Sequence, residues 1–167
     1  MGVIKAVCIS EAKGTAKRNI GRCRLIEDWG LENDAHAGNW HRQVSLLSYE
    51  AVEAFRSRGA VVADGAFGEN LLVSGFDFKA LPVGTLFRCG EAVLELTQIG
   101  KQCHSECEIF KQVGDCIMPR EGVFAVVLRG GTVSAGDELT VVEPAASVKP
   151  VKTDHFPKPV RPESGCP

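Results

Sequence analysis

Residues 85–97, TLFRCGEAVLELT, predict a hairpin of two antiparallel strands. Thr85–Arg88 and Ala92–Thr97 flank Cys89-Gly90-Glu91, and a glycine inside so short a connection is typical of a tight hairpin turn. In the second arm, apolar residues alternate with more polar ones, which indicates a strand with one face in the core and one more polar face. The hairpin therefore predicts a protein built from short strands.

Short strands and glycine turns recur on both sides of this hairpin. One helix is clear, because Ser48 can cap its first turn and Gly59 can end it. A second, shorter helix is predicted over Glu106–Gln112. Many short strands with one or two helices predict a mainly β fold, either a compact β-barrel or a sandwich. The further predicted strands are Val3–Ser10, Arg22–Glu27, Gln43–Leu47, Asn70–Val73, Val123–Leu128 and Glu138–Val142.

Length and charge narrow the class of protein. The 167 residues fit one domain with a hydrophobic core, which we assign to residues 1–143. Residues 144–167 hold six of the eight prolines and almost no large apolar side chains, so we interpret them as a flexible Pro-rich tail. The net charge of −2 favours neither nucleic acid nor an anionic membrane as a partner. Because no apolar run of about 18 residues and no signal-peptide pattern is present, we expect a cytoplasmic protein without a membrane partner.

Cysteine usage points in the same direction. In a reducing cytoplasm, the seven cysteines are expected to be free, metal-bound or catalytic rather than paired. Cys8, Cys23 and Cys89 stand in apolar or alternating contexts, and we predict that they are small buried hydrophobic residues. Cys166 belongs to the Pro-rich tail, where no site role is expected.

The segment at residues 100–122, GKQCHSECEIFKQVGDCIMPREG, carries the densest chemistry of the chain. Positive side chains among thiols favour the thiolate, the form of cysteine that attacks electrophiles and binds metals. Three interpretations stay open from the residues alone: a structural zinc site, a disulfide, and a reactive or soft-metal thiolate. Joint binding of one zinc ion by adjacent Cys103 and His104 is awkward because their side chains project in different directions. The segment contains Cys103, Cys107 and Cys116 among the basic residues Lys101, His104, Lys111 and Arg120.

Three more stretches place polar groups in loops, where sites are often built on a β scaffold. Residues 30–38, GLENDAHAG, are followed by His41-Arg42-Gln43, and the alternative here is a solvated turn with internal Asp–His hydrogen bonds. Residues 65–70, GAFGEN, allow close backbone approach to a ligand, although alone they more often mark a glycine turn before a strand. In residues 118–122, MPREG, Arg120 offers a planar fork that matches phosphate or carboxylate, and it could form an anion site with Lys101, Arg42 and Arg129. Singly, each of these cations is more often a solvated surface charge.

Taken in order, these pieces resemble the MOSC domain, the family named after the C-terminal domain of molybdenum cofactor sulfurase. The resemblance runs from Val3 to about Val142 and is greatest to small stand-alone bacterial members. Each stretch alone is weak, and their joint occurrence in this order is specific. The matching stretches are GLENDAHAG, HRQVSLL, GAFGENLLVSG, LPVGTLFRCGEAVLELTQIGKQCHSEC, GDCIMPREGVFAVVLRGG and SAGDEL.

The resemblance implies a compact β-barrel with one or two short helices and a link to the molybdenum cofactor, a pyranopterin with a dithiolene-bound metal and a terminal phosphate. It also implies that some members carry or transfer sulfur through a cysteine. Cys103 best matches the cysteine that ligates molybdenum in related reductases, so we predict it as the catalytic and metal-binding residue. In the cofactor pocket that the resemblance implies, we expect Arg42, Lys101 and Arg120 to hold the phosphate or the pterin. His36 and Asn70 are expected to bind the pterin edge.

The function that the resemblance implies is cofactor carriage, maturation or sulfur transfer, which would make the protein a sulfur carrier or transferase. Expected partners are molybdenum cofactor biosynthesis proteins or molybdoenzymes, with a cysteine desulfurase as a candidate sulfur donor. Two alternatives stay open: a molybdenum-dependent reductase of N-oxygenated compounds that works with an electron-transfer partner, and a zinc-binding non-catalytic module. The reductases carry an additional N-terminal barrel domain that these 167 residues lack, which disfavours the first alternative. Cys107 and Cys116 are extra thiols relative to those enzymes.

Overall fold

The computed structural model describes residues 2–13, 15–59, 61–100 and 121–142. The predicted helix over Glu106–Gln112 and the predicted tail at 144–167 lie outside these ranges. None of the helices within them has the length and apolar character needed to cross a bilayer. The described strands are β1 (Gly2–Ile9), β2 (Arg18–Asn19), β3 (Arg22–Ile26), β4 (Gly30–Leu31), β5 (Val44–Ser48), β6 (Leu71–Ser74), β7 (Leu86–Cys89), β8 (Ala92–Ile99), β9 (Val123–Arg129), β10 (Gly131–Ser134) and β11 (Glu138–Val142); the described helices are α1 (Tyr49–Ser57) and a short 3-10 turn at Phe78–Ala80.

Seven of the strands form a closed barrel. They are hydrogen-bonded in the order β11-β7-β8-β9-β5-β6-β1, and β1 pairs with β11 to complete the circle. The closing pair is antiparallel, with Gly2 opposite Leu139 and Val3 opposite Glu138. Strands β5 and β6 run parallel, and helix α1 lies in the chain between them. The predicted mainly β barrel with a short helix is confirmed.

The hairpin at residues 85–97 forms as predicted. Leu86 faces Glu95 and Cys89 faces Ala92, which leaves Gly90 and Glu91 as the turn. Gly90 has a φ of 57°, a conformation that glycine adopts without strain. The more polar face of β8 is buried at Glu95, which is only 6% exposed. A second sheet of β10, β3 and β4 lies beside the barrel, and Gly131 at the start of β10 approaches the backbone of Ala92 closely.

Two apolar clusters pack against the barrel wall, one inside the barrel and one outside it. The larger cluster fills the interior with side chains from strands around the whole barrel. The smaller cluster covers the outside of β1, β5, β6 and β9 with Val52 and Phe55 of α1. Ser48 caps α1 as predicted, since its side chain accepts a hydrogen bond from the Ala51 amide at 3.3 Å. Alternation along β1, β5, β6 and β9 therefore supplies apolar side chains to both layers. The thiols of Cys8, Cys23 and Cys89 are free and buried, which confirms their predicted role in the core.

Candidate functional site

The loop between β4 and β5 turns Asp34 and His36 into the protein, against the buried amine of Lys17. The side chains of Asp34 and Lys17 are inaccessible to solvent, and their Oδ1 and Nζ atoms are 2.7 Å apart. The same Nζ lies 3.0 Å from Nδ1 of His36, a residue that is 6% exposed. The alternative of a solvated turn is therefore wrong, because Asp34 and His36 are buried and are joined through a lysine.

Local backbone pairing explains how Lys17 reaches this position. Strand β2 starts directly after Lys17 and pairs with the end of β1, where Ile9 faces Arg18. Ser10 follows β1, and its hydroxyl lies 3.1 Å from Nζ of Lys17. The Ser10 amide also donates to Oδ1 of Asp34 at 3.0 Å. The end of β1, the start of β2 and the loop between β4 and β5 thus meet at the amine of Lys17.

Asn70 joins this group from the start of β6. It is 1% exposed, and its Nδ2 donates to Oδ2 of Asp34 at 3.1 Å and to the Cys8 carbonyl at 3.0 Å. Its Oδ1 lies 2.9 Å from the Ser45 amide nitrogen, which donates to it. Both N–H donors of the Asn70 amide are therefore used within the protein. Together we call Ser10, Lys17, Asp34, His36 and Asn70 the Lys17 cluster.

Burial governs the electrostatics of the Lys17 cluster. It lowers the pKa of Lys17, and the carboxylate of Asp34 opposes that shift. Burial also raises the pKa of the adjacent Cys8 thiol, with a further contribution from Glu69. A thiol whose pKa is raised is a poor nucleophile, so Cys8 is inert beside the cluster.

The GAFGEN loop closes the back of the Lys17 cluster. The Gly65 carbonyl accepts a hydrogen bond from the Lys17 amide at 2.9 Å. Gly65 has a φ of 87°, and a Cβ there would lie 2.2 Å from the Lys17 carbonyl oxygen, so only glycine fits. The fully buried carboxyl of Glu69 accepts from the amides of Gly65 at 2.6 Å and Phe67 at 3.1 Å. Burial nevertheless raises the pKa of Glu69 to about 7.

The C-terminal end of the loop between β4 and β5 places Arg42 on two aromatic rings. Its guanidinium carbon lies 4.6 Å from the ring centroid of Trp40 and 5.4 Å from that of Phe124 in β9. Trp40 is fixed in turn by a 2.8 Å hydrogen bond from its Nε1 to the His36 carbonyl. Arg42 is half-buried and stacked, so it is held in place rather than being a solvated surface charge.

Beside Arg42, His41 is bonded to the end of β8. Its Nε2 lies 2.7 Å from Oε1 of Gln98, whose Nε2 donates to the Gly100 carbonyl at 2.8 Å. That second bond identifies which end of the Gln98 amide is the NH2 donor, so its Oε1 is an acceptor. Nε2 of His41 therefore donates to it and carries the proton. Burial lowers the pKa of His41, and neighbouring Arg42 adds to the effect. We call Trp40, His41, Arg42, Gln98 and Phe124 the barrel-end group.

The barrel-end group stands where the cysteine-rich segment departs from the barrel and returns to it. The Gly100 amide donates to the Gly122 carbonyl at 2.7 Å, so the two ends of that segment are hydrogen-bonded to each other. The segment itself, residues 101–120, lies outside the described residues. The predictions for Lys101, Cys103 and Arg120, and the open roles of Cys107 and Cys116, therefore stay predictions.

Of the predicted site residues that the structure describes, His36 and Asn70 meet in the Lys17 cluster, and Trp40 links them to Arg42. Lys17 and Glu69 were missed by the sequence analysis. Lys17 stands among polar residues that indicate an exposed turn, so nothing in the local pattern signals its burial. Within the described ranges, no group of three or more His, Cys, Asp or Glu side chains is arranged to hold a metal ion.

Comparison with known proteins gives a family and a fold. The model of the MOSC domain matches residues 33–140. Among solved structures, the YUAD protein from Bacillus subtilis aligns with a TM-score of 0.69 at 20% identity, covering 83% of this chain and 94% of that chain.

Two further solved structures have the same fold. YiiM from Geobacillus stearothermophilus gives a TM-score of 0.66 at 18% identity, over 93% of this chain and 82% of that chain. YiiM from Escherichia coli gives a TM-score of 0.59 at 21% identity, over 88% of this chain and 71% of that chain. Identities this low support the fold alone. A search of curated protein sequences gives no match.

Proposed function

Because this chain belongs to the MOSC domain family, we propose that it binds the molybdenum cofactor and acts in cofactor carriage, maturation or sulfur transfer through Cys103. The observation that carries the proposal is the half-buried Arg42 guanidinium, held on Trp40 and Phe124 at the end of the barrel. A planar cation fixed on aromatic rings can pair with a phosphate through two parallel hydrogen bonds. It therefore suits a cofactor that carries a terminal phosphate.

Chain connectivity supports a location near the barrel-end group for the predicted thiol, Cys103, and for the predicted cations, Lys101 and Arg120. Lys101 directly follows Gly100, and Arg120 stands two residues before Gly122, so both cations are close in sequence to that hydrogen-bonded pair. Cys103 follows Gly100 by three residues. We therefore expect both cations and Cys103 to be tethered near the barrel-end group.

Each described residue has a distinct part in this proposal. Arg42 binds the phosphate or the pterin, and His36 contacts the pterin edge. Asn70 holds Asp34, since both of its amide donors are already used. The bound cofactor would supply a sulfur-rich metal centre, for which a cysteine thiolate is a matched soft ligand. His36 and Arg42 fit such a group because His36 is a buried polar side chain and Arg42 is a cation held on aromatic rings.

The direct test is the cofactor content of protein purified from a host that makes the cofactor. We expect molybdenum and pterin in the wild-type protein and a loss of most of both in Cys103→Ala. Cys89→Ala is the matched control, because Cys89 is buried at the hairpin turn and should leave both unchanged. Full retention of molybdenum and pterin in Cys103→Ala would contradict the role of Cys103. Stoichiometric zinc without pterin would instead support a zinc-binding module.

A second experiment separates sulfur transfer from cofactor carriage. The proposed partners include molybdoenzymes and cofactor biosynthesis proteins, and the proposed sulfur donor is a cysteine desulfurase. After incubation with such an enzyme and free cysteine, we expect a persulfide on Cys103, detected by mass spectrometry of labelled peptides. Absence of label from every cysteine would restrict the proposal to carriage or maturation.

A further inference from the structure

The amine of Lys17 is surrounded by three hydrogen-bonding partners inside the protein. Oδ1 of Asp34 lies 2.7 Å from Nζ, Nδ1 of His36 lies 3.0 Å away, and Oγ of Ser10 lies 3.1 Å away. A lysine ammonium has three N–H donors and no acceptor, which matches these three partners. Lys17 itself is 4% exposed, so water does not compete for these bonds.

The surroundings of Asp34 indicate that Lys17 is charged. The carboxylate receives N–H donors from Lys17, from the Ser10 amide and from Asn70. Both oxygens of this carboxyl group accept N–H donors, and the 2.7 Å ion pair between Oδ1 and Nζ stabilises the third proton on the amine. Burial lowers the pKa of Lys17 and opposes this, but removing that proton would leave the Asp34 carboxylate as an uncompensated buried charge.

The proton count on Lys17 fixes the proton on His36. Because the ammonium can only donate, Nδ1 of His36 must accept and therefore carries no proton. A neutral imidazole then carries its single proton on Nε2. A second proton at Nδ1 would face the ammonium at hydrogen-bond distance, which disfavours the imidazolium. Nε2 of His36 therefore carries the ring proton and acts only as a hydrogen-bond donor.

We propose that Lys17 is a positioning residue that holds His36 in its neutral Nε2–H form, so that His36 binds an acceptor atom of the ligand and acts neither as a base nor as a metal ligand. The proposal rests on the proposed function for the identity of the ligand, whose pterin edge offers carbonyl and ring-nitrogen acceptors. Nothing in the GLENDAHAG sequence distinguishes this role from that of a basic or metal-binding histidine. The assignment comes from the geometry around Lys17.

Nuclear magnetic resonance of the ligand-free wild-type protein tests the proton assignment directly. In two-bond proton–nitrogen spectra at neutral pH, we expect Nε2 of His36 at the shift of a protonated nitrogen and Nδ1 at that of an unprotonated one. The chain has four histidines, and the signals that vanish in His36→Gln identify the residue. A protonated Nδ1 on His36 would overturn the proposal, and the measurement needs neither a Lys17 variant nor the cofactor.

A double-mutant cycle tests whether Lys17 acts through His36. We expect Lys17→Met and His36→Gln each to weaken binding of the isolated molybdenum cofactor by about tenfold, the order expected for one buried hydrogen bond to a ligand. The double variant should then bind no more weakly than the weaker single variant. Multiplied losses in the double variant would mean that Lys17 acts independently of His36, and the positioning role would be wrong.

Matched controls separate this proposal from the proposed function. Lys13→Met removes an exposed lysine of the same segment and should leave both affinity and the His36 spectrum unchanged. If Lys17→Met fails to fold, the wild-type spectrum alone still decides the state of His36. If the wild-type protein shows the expected spectrum but binds no cofactor, the proposed function fails while the proton assignment stands.

Discussion

The two ends of the loop between β4 and β5 are stabilised in opposite ways. At the inner end, the Lys17 cluster buries an ammonium and a carboxylate whose side chains are both shielded from water. At the outer end, the barrel-end group holds Arg42 by stacking on aromatic rings, with its side chain half-exposed. One end thus depends on complete pairing of buried charges, and the other on contacts that tolerate solvent and ligand.

The difference predicts which substitutions lower the free energy of unfolding and which weaken ligand binding. A buried charge that loses its partner is costly, because it can recover neither hydration nor another counter-charge. A stacked, half-exposed cation recovers its hydration when its rings are removed. We therefore expect a substitution that removes the counter-charge inside the Lys17 cluster to lower the free energy of unfolding strongly, and substitutions in the barrel-end group chiefly to weaken ligand binding.

The largest expected effect comes from Asp34→Asn. This change leaves the Lys17 ammonium without its carboxylate, and we expect a loss of about 3–5 kcal/mol in the free energy of unfolding, measured with urea. The control is Glu11→Gln, which breaks the exposed ion pair to Arg18, with side chains 88% and 72% exposed. That control should change stability by less than about 0.5 kcal/mol. Equal losses would remove the distinction between buried and exposed pairs.

A backbone change behind the Lys17 cluster should rank second. Gly65→Ala forces a Cβ to within 2.2 Å of the Lys17 carbonyl in a left-handed conformation, so we expect a loss of several kcal/mol. Gly84→Ala is the matched control, since Gly84 has a φ of 97° but open space around its missing Cβ. It should cost about 1 kcal/mol from backbone strain alone. Similar thermal denaturation midpoints for the two variants would contradict the close packing at Gly65.

The third prediction concerns pH and the buried carboxyl of Glu69. Its pKa is raised from 4.5 to about 7 in the folded state, so the folded protein binds more protons than the unfolded chain between these values. The free energy of unfolding should therefore be highest on the acid side and fall by on the order of 2 kcal/mol as the pH rises through that window. His41, whose pKa is lowered, contributes a smaller slope of opposite sign.

Glu69→Gln isolates this contribution, because glutamine has no proton to lose in that range. The variant should be less stable overall, since its amide can replace only part of the bonding to the Gly65 and Phe67 amides. The measurement is urea unfolding at about pH 5 and about pH 8 for both proteins. If the free energy of unfolding falls as steeply with rising pH in Glu69→Gln as in the wild type, the slope belongs to another group.

The smallest effect on stability is expected at the barrel end. Arg42→Gln removes the cation from Trp40 and Phe124, and we expect a cost of about 1 kcal/mol or less. Binding of the molybdenum cofactor should fall much further, by about tenfold or more, because a charged hydrogen bond to the phosphate is lost. Arg58→Gln is the control, since Arg58 makes a similar contact with Phe55 on α1 at 5.0 Å. Its affinity should equal that of the wild type.

Residue patterns predicted the strands well because these follow simple rules of alternation and turn composition, whereas the choice of a barrel over a sandwich came from the resemblance to the MOSC domain. The strand predicted at Glu138–Val142 is found with those bounds, and the one at Val123–Leu128 extends by one residue to Arg129. Short strands were missed where the sequence lacks an apolar run, as at Arg18–Asn19, whose two residues are both exposed. These residues pair because β1 offers them an edge, which is a property of the assembled fold.

The site could be predicted only in part, for a related reason. His36, Arg42 and Asn70 stand out as polar residues in loops, and the structure connects them through Asp34 and Trp40. Lys17 has no such signal, because its burial depends on β2 docking beside Ser10. Local sequence thus identifies polar groups that a fold can use, whereas the partners of a buried charge are fixed only when distant segments meet.

The pairing of β1 with β11 has a consequence for synthesis on the ribosome. Gly2 is hydrogen-bonded opposite Leu139, so the first strand of the barrel acquires one of its neighbours only after almost every other strand has been translated. Until then, the nascent chain presents an unpaired strand edge of the kind that promotes association with other chains. Pairing between such distant segments also slows folding, because a long loop must close before the contact forms. Closure of the barrel therefore waits until β11 has been synthesised, and before then the open edge is exposed to aggregation or to chaperones.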